Sequence, residues 1–189
     1  RVCHNRLRKE IKFNIKSPMS CKIIWFTGLS GSGKTTLSLD LCKKLKRMKF
    51  KIKTIDGDIF RKEKKNINKF TKKNIFENNM QIINYVDKIK DSYKFVIVSV
   101  ISPLLKTRQE ARKRFGENYF EVYVKCSVKE LKKRDTKGLY RLADQKILKN
   151  LIGYKTKVIY EKSKYKKIIV DTEKKNIKNC IKVIKNKIL

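Results

Sequence analysis

The chain has 189 residues and carries 51 Lys and Arg against 17 Asp and Glu, a formal net charge of +34. That length fits one compact domain with a real core and leaves no room for two ordinary ones. A content of 40% hydrophobic and 36% charged residues excludes a disordered polyelectrolyte. Apolar runs such as Phe95–Ile101 are strand-sized, far too short to span a bilayer, so no membrane partner is expected.

The positive charge is spread along the whole chain. Lys, Ile and Asn, whose codons are rich in A and T, are all abundant, so the charge reads as compositional drift on solvated positions. It favours phosphorylated ligands and non-specific contact with RNA, but designates no specific nucleic-acid partner. Cys3, Cys21, Cys42, Cys126 and Cys180 form no CxxC pair and read as reduced thiols. His4 is the only histidine, which excludes histidine-based zinc sites and histidine general-base chemistry. With no export signal, the cytoplasm is the expected compartment.

Residues 1–18 show no strand–helix alternation and are set aside as an N-terminal extension; 19–189 read as one domain. Lys22–Thr27 (KIIWFT) predicts a buried strand, followed by a Gly-rich turn and a helix from about Gly33 to Met48 with Leu37, Leu41 and Leu45 on one face. Lys51–Ile55 predicts a second strand, then Asp56-Gly57-Asp58 and a polar connection to about Lys73. A helix is expected near Asn74–Ile89, a strand at Phe95–Ser99, a helix at Leu104–Phe115 and a strand at Phe120–Cys126. A short helix at Val128–Arg134 precedes a loop-rich insert, Asp135–Thr156. A strand at Ile168–Val170 and a helix at Asn176–Lys187, with Ile177, Ile181 and Ile184 on one side, close the domain. Strands alternating with helices predict an α/β three-layer sandwich: a parallel sheet, helices on both faces, right-handed crossovers.

Gly28-Leu29-Ser30-Gly31-Ser32-Gly33-Lys34-Thr35 matches G-x-x-x-x-G-K-[ST] in full, between an apolar strand and a helix. Glycines let successive backbone N–H groups curl around a phosphate, and the helix N-terminus adds partial positive charge. Lys34 reaches the β- and γ-phosphates, Thr35 can ligate magnesium, and Thr36 continues the ATP side. Asp56 and Asp58 stand at the end of a strand, where open α/β sheets place their chemistry. One can orient an acceptor hydroxyl or take its proton; the other can help hold magnesium. No guanine-reading Asn-Lys-x-Asp element follows. The reading is a small-molecule kinase using ATP and Mg²⁺.

At this point the residues resemble the adenylylsulfate (APS) kinases. Trp25-Phe26-Thr27 leading into the Gly-rich loop, Asp56-Gly57-Asp58 with Arg61, Phe70-Thr71 and Glu77-Asn78 follow that family's order. So do Ile101-Ser102-Pro103, Arg108 with Ala111-Arg112, Glu121-Val122-Tyr123-Val124, and Arg134-Asp135-Thr136-Lys137-Gly138-Leu139-Tyr140. The resemblance implies a P-loop kinase with a basic lid that phosphorylates the ribose 3′-hydroxyl of APS, giving PAPS for sulfate assimilation; such enzymes often form dimers. It implies ATP·Mg on Lys34 and Thr35, with Asp56 as base or hydroxyl-orienting group and Asp58 assisting the metal. Arg61, Phe70, Asn78, Ile101, Ser102 and Leu151 would line the acceptor, with Phe70 stacking on its base. Arg134 would lie near the adenine and Lys137 near the phosphates.

Departures fall on the acceptor side. Ile75, Met80, Gln81 and Leu105 stand where that family carries arginine, Thr136 replaces the lid proline, and Leu151 stands in place of a second stacking aromatic. A variation on the family that phosphorylates cytidine diphosphoramidate in capsule synthesis is therefore the alternative acceptor.

Overall fold

The computed structural model describes residues 20–63 and 71–189. The extension expected at 1–18 and the acceptor residue Phe70 lie outside them. Strand β1 (Lys22–Thr27) runs straight into the Gly-rich loop and helix α1 (Lys34–Arg47). Strand β2 (Ile52–Asp56), helix α2 (Gly57–Glu63), helix α3 (Lys72–Ile89), strand β3 (Phe95–Ser99) and helix α4 (Leu105–Phe115) follow. Then come strand β4 (Tyr119–Lys125), helices α5 (Val128–Arg134) and α6 (Leu139–Asp144), strand β5 (Ile168–Asp171) and helix α7 (Ile177–Ile188). All five strands are parallel, in the order β2-β3-β1-β4-β5.

Period-2 alternation explains the two layers. On β1, Ile24 and Phe26 pack with Leu37, Leu41 and Leu45 of α1 and Ile181, Ile184 and Ile188 of α7. Ile23 and Trp25 turn to the other face, against Ile82, Ile83 and Val86 of α3 and Ala111 and Phe115 of α4. β1 lies at the centre of the sheet, buried on both faces, which is why it reads as an unbroken apolar run.

Two expectations are corrected. The polar connection expected after Asp58 begins as helix α2, because an Asp56 carboxylate oxygen accepts the Asp58 amide N–H at 2.9 Å and caps the turn. The insert at 135–156 is not all loop: the Asp135 carboxylate accepts the amide N–H groups of Tyr140 (3.0 Å) and Arg141 (2.9 Å), starting α6. Ile177 also departs from the core face expected for the last helix. It is exposed at the first turn of α7, where it overhangs the Gly-rich loop's cavity.

A buried ionic group ties α4 to the sheet. Arg108 and Glu121 are both almost fully buried, 3.4 Å apart, with Arg112 at 3.5 Å from the other Glu121 oxygen. The Arg108 guanidinium also donates to the backbone carbonyls of Ser102 and Glu161 and stacks on Tyr160. Tyr160 in turn shares a 2.9 Å hydrogen bond with Thr27, the last residue of β1.

Candidate active site

The loop at 28–35 takes its shape from backbone conformations that side chains resist. Gly28 has φ +141°, and a Cβ there would lie 2.5 Å from the Val124 carbonyl oxygen, so the loop can leave β1 alongside β4 only with glycine. Gly31 and Gly33 also adopt positive φ, the latter opening α1.

Ser30, Gly31, Gly33, Lys34, Thr35 and Thr36 line one side of a cavity of about 290 Å³. Asp56, Asp58, Ser99 and Ile101 line its sheet side, and Arg134, Thr136, Lys137 and Ile177 overhang it. Three strand ends and the lid thus converge at the C-terminal edge of the sheet, as expected for an open α/β fold.

Lys34 donates to the Leu29 carbonyl at 2.7 Å inside the loop's curl. Burial pushes its ammonium pKa down to about 8, with Lys137 adding to the depression against the pull of Asp58 and Asp56. Nucleotide phosphates would restore the charged form, so binding should take up a proton. Above about pH 8 the Mg·ADP affinity should fall close to tenfold per pH unit until the bound-state pKa is reached, while below pH 7 Lys34 contributes no slope. Calorimetry at about pH 9 in buffers of different ionisation enthalpy measures that proton; equal heats in all of them would contradict the assignment.

The Thr35 hydroxyl donates to Asp56 at 3.1 Å, and the other Asp56 oxygen is held by the amide N–H groups of Asp58 and Ile59. Asp58 instead meets the lid: Lys137 Nζ lies 3.0 Å from one carboxylate oxygen, and Arg61 lies 3.9 Å from the other. Partial burial would raise the Asp58 pKa, but the hydrogen bond and charge of Lys137, with Arg61 and Lys34, bring it below the ordinary carboxylate value. Thr35 therefore meets Asp56, whereas Asp58, expected to assist the metal, meets the lid lysine. Magnesium commonly uses one or two carboxylates plus substrate phosphates. Among the described residues no group of three or more His, Cys, Asp or Glu could hold a metal, and the Thr35–Asp56 pair facing the loop fits an ion carried in by the nucleotide.

Arg134 is oriented by Glu130 at 2.8 Å and by the Thr172 carbonyl at 2.7 Å, and Thr172 donates to the Ser32 carbonyl at 3.0 Å. Tyr140 of α6 donates to the Ser30 carbonyl at 2.9 Å. The lid base is therefore bolted to the loop, while Lys137 at its tip is exposed. Sequence reasoning missed Thr172 and gave no site role to Tyr140, named only as the end of the lid motif, or to Ile177, expected on the core face. Thr172 follows the last strand directly, and position at a strand's C-terminal end is the one signal that could have found it.

The acceptor-side residues divide. Ile101 lines the cavity and Arg61 sits beside Asp58. Asn78 is buried on α3 with its side-chain oxygen unpartnered. Two expectations are corrected. Ser102 is fully buried at φ +44°, with its hydroxyl 3.2 Å from Thr107; it shapes the turn behind Ile101 but does not reach the cavity. Leu151 is packed among Cys126, Leu131, Tyr140 and Ala143, so it offers no face to a base. Ile75, standing in place of an arginine, lies in an apolar cluster with Leu104, Ile152 and Val158.

A phosphate-cradling loop, a carboxylate against its Thr and a basic lid over one cavity define a P-loop kinase. The adenylylsulphate kinase family model matches residues 20–171, and this chain belongs to that family. The adenylyl-sulfate kinase of Clostridium acetobutylicum is 36% identical over 167 residues, covering 86% of this chain and 82% of its own. That of Synechococcus sp. strain JA-3-3Ab is 34% identical over 161 residues, covering 85% and 90%. The structure of the Mycobacterium tuberculosis APS kinase CysC in complex with AMPPNP and APS superposes with a TM-score of 0.77 at 27% identity, covering 88% of this chain and 96% of that one. Among the described residues no helix is long and apolar enough to cross a membrane, and Cys21, Cys42, Cys126 and Cys180 are free and buried.

Proposed function

We propose that this protein transfers the γ-phosphoryl group of Mg·ATP to the ribose 3′-hydroxyl of adenylyl sulfate, giving 3′-phosphoadenylyl sulfate and ADP in a reducing cytoplasm. The observation that carries the reading is the junction of the phosphate loop with Asp56 in one cavity, within a chain of this family. A bond forms from the 3′-oxygen to the γ-phosphorus, and the bond to the β,γ-bridging oxygen breaks. Asp56 orients the hydroxyl and receives its proton. Magnesium, when bound, supplies charge neutralisation at the phosphates. Lys34 and the loop amides hold the β- and γ-phosphates, and Arg134 with Ile177 flanks the base of ATP. Lys137 exchanges Asp58 for phosphate as the lid closes, excluding water.

Ile75 has joined the core, so the acceptor's anionic end must find other cations. An open recess of about 770 Å³ between the start of α3 and the returning lid is lined by Thr71, Lys72, Lys149, Asn150, Lys155, Thr156, Lys157 and Val158. Val158 belongs to the same apolar cluster as Ile101, which lines the phosphate-loop cavity. Lys155 is engaged by Asp144 at 2.6 Å, leaving Lys72, Lys149 and Lys157 for the acceptor's sulfate and phosphate. The loss of stacking surface at Leu151 favours a second reading, a smaller pyrimidine acceptor such as cytidine diphosphoramidate.

Coupled ADP release with Mg·ATP and each acceptor separately decides between them: turnover with APS is expected, and turnover with the cytidine nucleotide alone would replace it. Lys149→Ala with Lys157→Ala should raise the APS KM roughly tenfold with the ATP KM unchanged. An unchanged APS KM would remove the recess from the acceptor site.

A further inference from the structure

Strand β3 lies between β1 and β2, and its side chains alternate between the two cores. Phe95 and Ile97 face α1 and α7, whereas Val96 and Val98 face α3 and α4. Ser99 ends the α1-facing row. It is 5% exposed, and its hydroxyl has no hydrogen-bond partner in the protein. A buried hydroxyl with no partner costs about 1–3 kcal/mol, whereas Ala or Val there would cost nothing of the kind.

The position explains what the hydroxyl can serve. Ser99 is in register with Asp56 on β2 and with Phe26 on β1. It lines the phosphate-loop cavity with Lys34, Thr35 and Asp56. It also lines an adjoining space of about 420 Å³ with Thr35, Ser38 and Asp56. Of the strands beside Thr35, β2 supplies the Asp56 carboxylate, which accepts from Thr35 and the α2 amides. β3, next to the loop's own strand, supplies a neutral hydroxyl with its hydrogen-bonding capacity unspent.

We propose that Ser99 is a positioning residue for the nucleotide-borne magnesium, its hydroxyl hydrogen-bonding a water of the ion's hydration shell beside Asp56. The inference rests on the ATP·Mg part of the proposed function and not on the identity of the acceptor. Magnesium keeps several of its waters when protein-bound, and outer-shell partners of this kind typically change metal affinity 10–100-fold when removed. A hydroxyl suits the task because it can accept from or donate to a water without adding charge beside Asp56 and Asp58.

The test uses the whole chain and measures ADP binding by calorimetry across a magnesium titration, with and without EDTA, for the wild type and Ser99→Ala. The expected result is an unchanged ADP affinity in EDTA and an increase of about tenfold or more in the magnesium concentration that half-saturates the coupling. Thermal melts of the magnesium-free proteins should show Ser99→Ala equal to or above the wild type, since an unpartnered polar group has been removed. A magnesium midpoint within twofold of wild type would overturn the proposal. So would parallel losses of ADP affinity with and without the metal, which would mark a structural role. A wild type whose ADP affinity ignored magnesium would overturn the ATP·Mg reading itself, an outcome distinct from both.

Discussion

Asp56→Asn should lower kcat by about 10²–10⁴-fold while the ATP KM stays within a few-fold. Asn keeps one oxygen to accept from the Asp58 and Ile59 amides, so α2 stays capped and the fold intact. What it loses is the charge facing Thr35 and the capacity to accept the acceptor's proton. Asp58→Asn should cost far less, about tenfold, since Asp58 is paired with Lys137 of the lid rather than with the phosphate loop. Steady-state ADP release with both substrates varied measures the two together. A larger effect at Asp58 than at Asp56 would contradict the assignment of the base to Asp56 and give the dominant role to the carboxylate that was expected only to assist the metal.

Arg108→Ala should destabilise the protein by about 3–5 kcal/mol, because it leaves the Glu121 carboxylate buried with only the 3.5 Å contact to Arg112. It also strips the guanidinium donor from the Ser102 carbonyl, leaving only the 3.4 Å contact from the Thr27 hydroxyl, in a residue already held at positive φ, and the cover from Tyr160. For a chain of this size the melting temperature should drop by roughly 10 °C. Chemical denaturation of Arg108→Ala and Arg108→Ala/Glu121→Gln separates the causes. If the loss comes mainly from an unpaired buried charge, the double variant should recover part of it. A loss below about 1 kcal/mol would mean that the turn at 101–103 is held by something else. The turn matters for function because Ile101 lies on the cavity, and its carbonyl accepts from Thr27 and Gly28 at the entry to the phosphate loop.

The sequence by itself determined the features whose physics is local. Gly28 to Thr35 is contiguous, and its glycines, amides and helix start form an anion cradle wherever such a strand–loop–helix folds. The unbroken apolar run Ile23–Phe26, the spacing of Leu37, Leu41 and Leu45 on one helix face and the alternation of strands with helices were sufficient for a parallel sheet covered on both faces, which the structure reproduces. Helices α2 and α6 were not legible, since each is short and is started by a single carboxylate, Asp56 or Asp135, in a stretch that otherwise reads as polar loop.

Tertiary structure alone decided how the site is joined. Lys137 reaches Asp58 across 79 residues, a distance set by the order of strands and the return of the lid. Leu151 reads as an exposed stand-in for an aromatic, but the lid's packing against Tyr140 buries it. Ile75 reads as a lost charge and proves to be a core residue. Ser99 reads as the end of an apolar strand; only the β2-β3-β1 order puts it in register with Asp56 and on a cavity wall shared with Thr35. Short-range chemistry is written in residue order, whereas the partners of a buried charge or hydroxyl depend on which strand lies next to which.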